Sequence, residues 1–460
     1  MKSLPDSLMN SLADCSGFDK EAFKNLHASG EQVTSIRVNP GKKSQLSDSR
    51  FQMTDTGFEL STTVSPVPWS EYGYYLGDRP SFTFDPLFPA GCYYVQEASS
   101  MFLEQALKQT IDLSEPLKVL DLSAAPGGKS THIESLLSKD SLLVSNEVIR
   151  SRANILRDNI IKWGAENVVV TNNDPRDFAV LEHFFDVMVV DAPCSGSGLF
   201  RRDPDAMDEW SLNNVTLCSQ RQQRILADAW PCLKNGGLLV YSTCSYSREE
   251  DEEILSWLLG QFPAQLIPLQ VHPSWGIIES GGGYRFWPDK VKGEGFFLAC
   301  IRKNGEIERG LVRFKSTAGK ASKKELEGLD PWIKKEGKTF VKYGQTIYAW
   351  PAEQADHFRF LLEKLKVIYS GIRVGDWLKD KLIPDHALAM SAARAESIEV
   401  VELDKQQAIH FLQRKELSIS PVGKGWKLVS HKGFILGWIN VLINRINNYY
   451  PKELRIVKDN

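Results

Sequence analysis

LKVLDLSAAPGGKSTHIESLL (117–137) is a short apolar run, a turn containing Pro and Gly, and then a stretch with helical spacing. A strand that passes through a tight turn directly into a helix opens a βαβ unit. The chain downstream repeats the alternation. Apolar runs recur at LLVSNE (142–147), NVVVT (167–171), DVMVVDAP (186–193) and GLLVYSTC (237–244). Helical stretches lie near 128–138, 150–163 and 213–233. The runs are apolar at nearly every position, as in a parallel sheet covered on both faces. The predicted fold class is therefore α/β, doubly wound. FFLACIRK (296–303) predicts a late antiparallel strand.

The flanks read differently. VTSIRVNPGK (33–42) is a strand ending in a turn, and residues 71–95, rich in aromatics, Gly and Pro, read as a connecting segment. Ala98, Met101, Phe102, Leu103, Ala106 and Leu107 predict a helix over 96–109. Residues 304–325, polar and basic, read as a linker. Beyond them, TIYAW (346–350) and the turn PVGKGW (421–426) suggest an α+β or mainly β region. The expected division is 1–80, 81–303, the linker 304–325, and 326–460.

Composition narrows the function classes. Hydrophobic residues at 42% supply cores without covalent staples. No apolar run approaches the roughly 18 residues of a membrane helix, so no membrane partner is expected. MKSLPDSLMNSLADC (1–15) lacks a secretory pattern. Seven cysteines without a CxxC pair fit a reducing, cytoplasmic setting and argue against a disulfide framework or a structural zinc. No metal is expected. The net charge of −3 hides an asymmetry: residues 301–460 carry 29 Lys and Arg against 19 Asp and Glu, the remainder 26 against 39. A basic tail on an acidic body suggests an appended nucleic-acid-binding module, or merely an uneven solvated surface.

The turn Ser123-Ala124-Ala125-Pro126-Gly127-Gly128-Lys129 is neither GxGxxG nor a nucleotide-binding P-loop. Glycines there let the backbone approach a ligand closely. Glu147 ends the second strand, Asp174 follows the third, and Asp191 ends the fourth. Each alone is more often a helix cap or turn residue. Together they face the crevice at the carboxyl edge of the sheet, where a nucleoside cofactor binds. Two thiols leave the same edge, Cys194 after the fourth strand and Cys244 after the fifth. Most cysteines are small core hydrophobes, but these two sit beside Ser and Gly.

DLSAAPGGK (121–129), DAPCSGSGLFRRDPD (191–205) and YSTCS (241–245) closely resemble motifs of the Nop/Sun family of RNA cytosine-5 methyltransferases. SIRVN (35–39) and YYVQEASSM (93–101) extend the likeness over roughly residues 30–303. PDHALAMS (384–391) and GWKLVSHKGFILGWINVLINRINNYYPKELRI (425–456) resemble the tail of a subfamily acting on small-subunit rRNA, which includes a PUA-like RNA-binding fold. The resemblance implies a Rossmann-like class I methyltransferase domain with a small N-terminal α+β domain and a C-terminal PUA-like RNA-binding region. It implies S-adenosylmethionine as cofactor, held by residues 123–129, Glu147, Asp174 and Asp191. Many family members carry Cys where this chain has Ser123, also a small side chain.

The implied reaction explains the thiols. Carbon 5 of cytosine is too weak a nucleophile to take a sulfonium methyl, and a thiolate added to carbon 6 makes it an enamine carbon. By resemblance Cys244 is that nucleophile, Cys194 assists release of the methylated RNA, and Lys129 lies near the target base. Asp191 would act as an acid held against the ring. Arg201 and Arg202 are expected to contact phosphate, and Arg221 and Arg224 are weaker candidates on a helix. Trp210, Trp426, Trp438, Tyr449 and Tyr450 could stack on bases, although core packing is the commoner fate. The expected partner is small-subunit rRNA or a ribosomal subunit, and the protein is expected to be a monomer. Deleting 304–460 is expected to impair RNA binding far more than cofactor binding. The alternatives are a tRNA cytosine-5 methyltransferase, a DNA cytosine-5 methyltransferase, a non-catalytic rRNA-binding assembly factor and a nicotinamide-dependent oxidoreductase.

Overall fold

In the computed structural model, which describes residues 3–43, 64–306, 319–419 and 423–458, the five apolar runs form one parallel array. Its strands are Lys118–Asp121, Leu142–Asn146, Val168–Thr171, Phe185–Asp191 and Leu233–Thr243. In space they run fifth, fourth, first, second, third. The order reverses between the first and fourth strands, so a crevice opens there at their carboxyl ends. Helices Gly128–Leu136, Arg150–Trp163 and Leu212–Ala229 cover the faces. Val144, Val169, Met188 and Leu239 fill one side of the sheet and Leu143, Val170, Val189 and Val240 the other, all inaccessible to solvent. Phe296–Lys303 lies antiparallel against the fifth strand, as predicted.

The stretch read as a connector, 71–95, instead supplies two strands. Gly73–Leu76 and Tyr93–Val95 flank Thr34–Val38 in an antiparallel four-stranded sheet completed by Val64–Pro66. Aromatics and glycine disguise GYYL as a loop, yet all four residues are buried. The N-terminal sheet thus reaches past residue 80. Two helices before it, Asp6–Ser11 and Lys20–Ser29, place Leu8 and Phe23 against Tyr246 and Trp287.

The C-terminal third is not a detached appendage. Val367–Ser370 pairs antiparallel with the third strand and extends the central sheet. Trp350, Phe358 and Leu361 join the same core as Leu120 and Phe185. Removing 304–460 would strip that core, so the truncation is a folding lesion and does not isolate RNA binding. Within the segment read as a linker, residues 307–318 lie outside the described residues, while a strand at Gly319–Lys320 and a helix at Lys323–Gly328 are ordered parts of the tail. Ser322 and Glu325 cap that helix reciprocally. The predicted strand at 346–350 is Thr346–Pro351. Of the predicted turn at 421–426, residues 421–422 lie outside the described residues, and a strand begins at Gly425. A last four-stranded sheet, containing Gly425–His431 and Phe434–Val441, shares a core with the N-terminal sheet through Val429, Leu436, Ile36 and Tyr93. No helix of the described residues is long and apolar enough to cross a membrane.

Candidate active site

The loops after the first, fourth and fifth strands converge at the crevice. Gly127 takes a left-handed backbone, φ 114°, which turns the chain into the helix beginning at Gly128. The rest of the turn is tied down. Ala124 N donates to Asn146 O at 2.8 Å, Arg152 Nη2 to Ala125 O at 2.8 Å, and Asn159 Nδ2 to Pro126 O at 2.8 Å. Ser123, Gly128 and Lys129 are half-buried at the crevice.

Acids stand at the ends of successive strands. Glu147 is buried; its Oε1 accepts from Ile149 N at 2.9 Å, and Arg152 Nη1 stands 3.6 Å from Oε2. Beside it Val148 and Ile149 are about half exposed, an apolar ledge next to a carboxylate. Asp174 caps the turn that follows it, accepting from Arg176 N at 3.2 Å and from Arg224 Nη1 at 3.3 Å. Carboxylate, apolar ledge and glycine turn together fit a nucleoside cofactor. Asp121, inaccessible at the end of the first strand, accepts from Ser130 Oγ at 2.6 Å. Burial nevertheless pushes its carboxyl up to about 7. A carboxyl raised in the folded state holds a proton that the unfolded chain releases near pH 4. Its contribution to stability is therefore complete below that pH and is lost as pH rises through 7. We expect the Asp121 proton to contribute a downward slope of at most about 1.4 kcal/mol for each step of one in pH across pH 4–7. Asp121→Asn should flatten that slope in denaturant titrations at several pH values.

Lys129 Nζ pairs with Asp191 Oδ2 at 2.8 Å, and Ser242 Oγ donates to Asp191 Oδ1 at 2.8 Å. Burial works against the ammonium, but Asp191 outweighs it and Lys129 is raised above the ordinary lysine value; Asp121 and Cys244 act in the same direction. Lys129 therefore keeps its proton firmly beside Asp191. The ammonium also lies over the Phe296 ring, 5.1 Å from its centre.

The two thiols meet. Cys194 Sγ and Cys244 Sγ are 3.1 Å apart and hydrogen-bonded, and both are only half-buried, whereas the other five cysteines are fully buried. The bond to Cys244, then burial, hold the Cys194 thiol well above its usual range. Cys194 thus keeps its proton firmly. The contact depends on residues that sequence reasoning missed. Glu250 is inaccessible and clamps both loops, accepting from Ser195 N at 2.7 Å and from Ser195 Oγ and Ser245 Oγ at 2.6 Å each. Gln222 Nε2 donates to Pro193 O at 3.0 Å. A Cβ on Gly198 would fall 2.7 Å from Cys244 O and 2.6 Å from Gly295 O, so only glycine lets the loops close. The acidic run at 249–253 was the available signal for Glu250, but such a run also reads as the start of a helix.

The arginines diverge from expectation. Arg201 is not a free phosphate ligand: its side chain is 4% exposed, donates to Glu31 O at 2.7 Å and Gly293 O at 3.1 Å, and stands 3.6 Å from Glu294. It ties the N-terminal unit to the catalytic loops. Arg202 and Arg221 are exposed, and Arg224 is bound to Asp174 and Asp228. Trp210, Trp438 and Tyr450 are core residues, while Tyr449 is exposed and packs against half-buried Trp426.

Comparison with known proteins places these features. Residues 108–302 match the family described as 16S rRNA methyltransferase RsmB/F. Residues 4–98 match the N-terminal domain of 16S rRNA methyltransferase RsmF, and residues 398–456 the methyltransferase RsmF PUA domain. The chain is 32% identical over 443 residues to ribosomal RNA small subunit methyltransferase F of Shewanella piezotolerans, covering 92% of this chain and 91% of that one. It is 33% identical over 448 residues to the protein of the same name in Vibrio parahaemolyticus, covering 91% of each. Among solved structures, a methyltransferase homolog from Pyrococcus horikoshii aligns with a TM-score of 0.50 at 28% identity, covering 65% of this chain and 100% of that one.

Proposed function

Because the chain belongs to the RsmF family of 16S rRNA methyltransferases, we propose that it methylates carbon 5 of a cytosine in small-subunit rRNA, using S-adenosylmethionine. The observation that carries this reading is the pair of thiols in contact at the carboxyl edge of the sheet, next to a Lys–Asp pair. One thiol suffices for addition to the ring; a second beside it has a use only if the adduct must be taken apart.

When bound, the cofactor supplies an electrophilic sulfonium methyl group. Residues 123–129, Glu147 and Asp174 would hold it, Glu147 by accepting from the ribose hydroxyls and Asp174 from the adenine amino group. Cys244 Sγ gives its thiol proton to solvent water and adds to carbon 6 of the cytosine, and the electron pair moves to carbon 5. The Lys129 ammonium, held in place by Asp191, stabilises the negative charge on the ring during that addition. Once methylated, carbon 5 gives up its proton to solvent water, and the Cys244–carbon 6 bond breaks with its electron pair staying on sulfur, which restores the aromatic ring. Cys194, which keeps its proton, sits 3.1 Å from the sulfur that leaves and can protonate it. The protein works on a base that is single-stranded or flipped out, at a cost of a few kcal/mol.

The test is labelled methyl transfer to small-subunit rRNA lacking its native methylation, followed by nucleoside analysis. 5-Methylcytidine is the expected product. A different methylated nucleoside, or none in rRNA but one in tRNA, overturns the reading. For the cofactor site, Glu147→Ala should weaken S-adenosylmethionine binding by about 10- to 100-fold, the worth of charge-assisted hydrogen bonds of about 1.5–3 kcal/mol. Calorimetry reads this directly, and kcat at saturating cofactor should change far less.

A further inference from the structure

A second cleft opens between the N-terminal sheet and the catalytic loops, and the reaction above does not use it. It is lined by Gln32, Thr34, Arg79, Gln96, Arg202 and Glu294, among others. None of Cys194, Cys244, Lys129 and Asp191 lines it. It nevertheless abuts their loops. Gln96 Cδ lies 3.9 Å from the position of a Cβ on Gly128. Gly295, next to Glu294, donates its amide to Gly198 O at 3.3 Å.

Two buried side chains lining this cleft each carry one polar atom that has no hydrogen bond among the described residues. Gln96 is 6% exposed, and its Oε1 accepts from Arg37 Nε at 2.8 Å. A guanidinium only donates, so this bond fixes which end of the amide is oxygen. The amide nitrogen Nε2 then has no hydrogen-bond partner among the described residues. Glu294 is 4% exposed, and its Oε2 likewise accepts no hydrogen bond, with Arg201 Nη1 the nearby cation at 3.6 Å. Leaving a buried polar atom unpaired costs about 1–3 kcal/mol, and such atoms in native proteins call for a reason. Arg79 and Arg202 line the same cleft and are exposed. Guanidinium groups suit a phosphodiester, and a buried amide and carboxyl suit the edge of an unpaired base.

We propose that this cleft binds one nucleotide of single-stranded RNA next to the methylated base, with Arg79 and Arg202 on its phosphate and Gln96 and Glu294 on its base edge. The occupant is a neighbour and not the reacting ring, because the ring must reach Cys244, which is absent from the lining. The assignment rests on the RNA methyltransferase reading. Burial, opposed by Arg201 and supported by Glu97, pushes the Glu294 carboxyl up to about 7, so near neutral pH it can give a proton to a base or accept one.

The experiment uses the full chain and an rRNA fragment that carries the incorporated label. Each nucleotide within two positions of the target is replaced in turn by an abasic residue. For the wild type, one position should lower kcat/KM by about tenfold or more. Gln96→Glu keeps the acceptor for Arg37 and removes the free N–H, and Glu294→Gln is its companion. Both should be impaired on intact RNA and lose less than threefold further at that same position. Arg79→Ala and Arg202→Ala should raise KM for RNA several-fold with kcat within twofold. Unchanged affinity for S-adenosylhomocysteine shows that each variant is folded. If the losses from protein and RNA changes multiply at every position while wild type is active, the cleft assignment falls and the function stands. If wild type methylates no RNA, the functional reading falls and this assignment with it.

Discussion

Cys244→Ala should abolish methyl transfer, by roughly 10⁴-fold or more, as loss of a covalent nucleophile does, while cofactor affinity is unchanged. Cys194→Ala should fail differently. With Cys194 gone, the sulfur bound to carbon 6 loses the proton-bearing neighbour 3.1 Å away. Addition and methylation can proceed, but expulsion is slow, so a protein–RNA adduct should accumulate and survive a denaturing gel. The double variant should form no adduct. If Cys194→Ala is inactive without an adduct while Cys244→Ala forms one, the two roles are reversed.

Arg285→Ala should cost about 3–5 kcal/mol of stability, the usual result of stripping the cation from a buried ionic cluster. Arg285 is almost inaccessible. It pairs with Glu252 through two nitrogens, stands 3.3 Å from Asp251, and donates to Tyr246 O at 2.9 Å. Asp251 in turn accepts from Thr243 Oγ1 at 2.6 Å, directly before Cys244. Without the guanidinium, buried Asp251, already raised by burial, and half-buried Glu252 lose their shared cation and are pushed further toward the protonated form. Their folded-state values then lie above the unfolded ones, so the loss should be smallest in acid and grow as pH rises. Chemical denaturation at pH 5 and pH 8 separates this from a simple packing defect. Arg285→Lys restores charge without the two-point fork and should recover only part of the loss.

The parallel sheet was legible because buried strands leave unbroken apolar runs, and 142–146 and 168–171 show that pattern plainly. The strand at 367–370 was not legible. VIYS suits any strand, and only the tertiary partner Val168–Thr171 decides which sheet it joins. The thiols and the strand-end acids were legible because their chemistry is tied to short motifs. Glu250 was missed because its role comes from bonds to Ser195, 55 residues away, and Ser245. Arg201 was misread because two arginines in a polar loop look alike in sequence. One of them reaches back to Glu31 and becomes structural, while Arg202 stays exposed and lines the second cleft.

The strand at 367–370 also bears on how the chain is made. Until it docks, the third strand presents a bare row of backbone donors and acceptors, a template for pairing with other chains. Its cover is encoded about 200 residues later. At roughly 5–20 residues per second of synthesis, the nascent chain carries that open edge for about 10 to 40 seconds before the covering segment is made. The period of greatest aggregation risk therefore falls during translation, and a slow codon stretch between residues 171 and 367 would lengthen it.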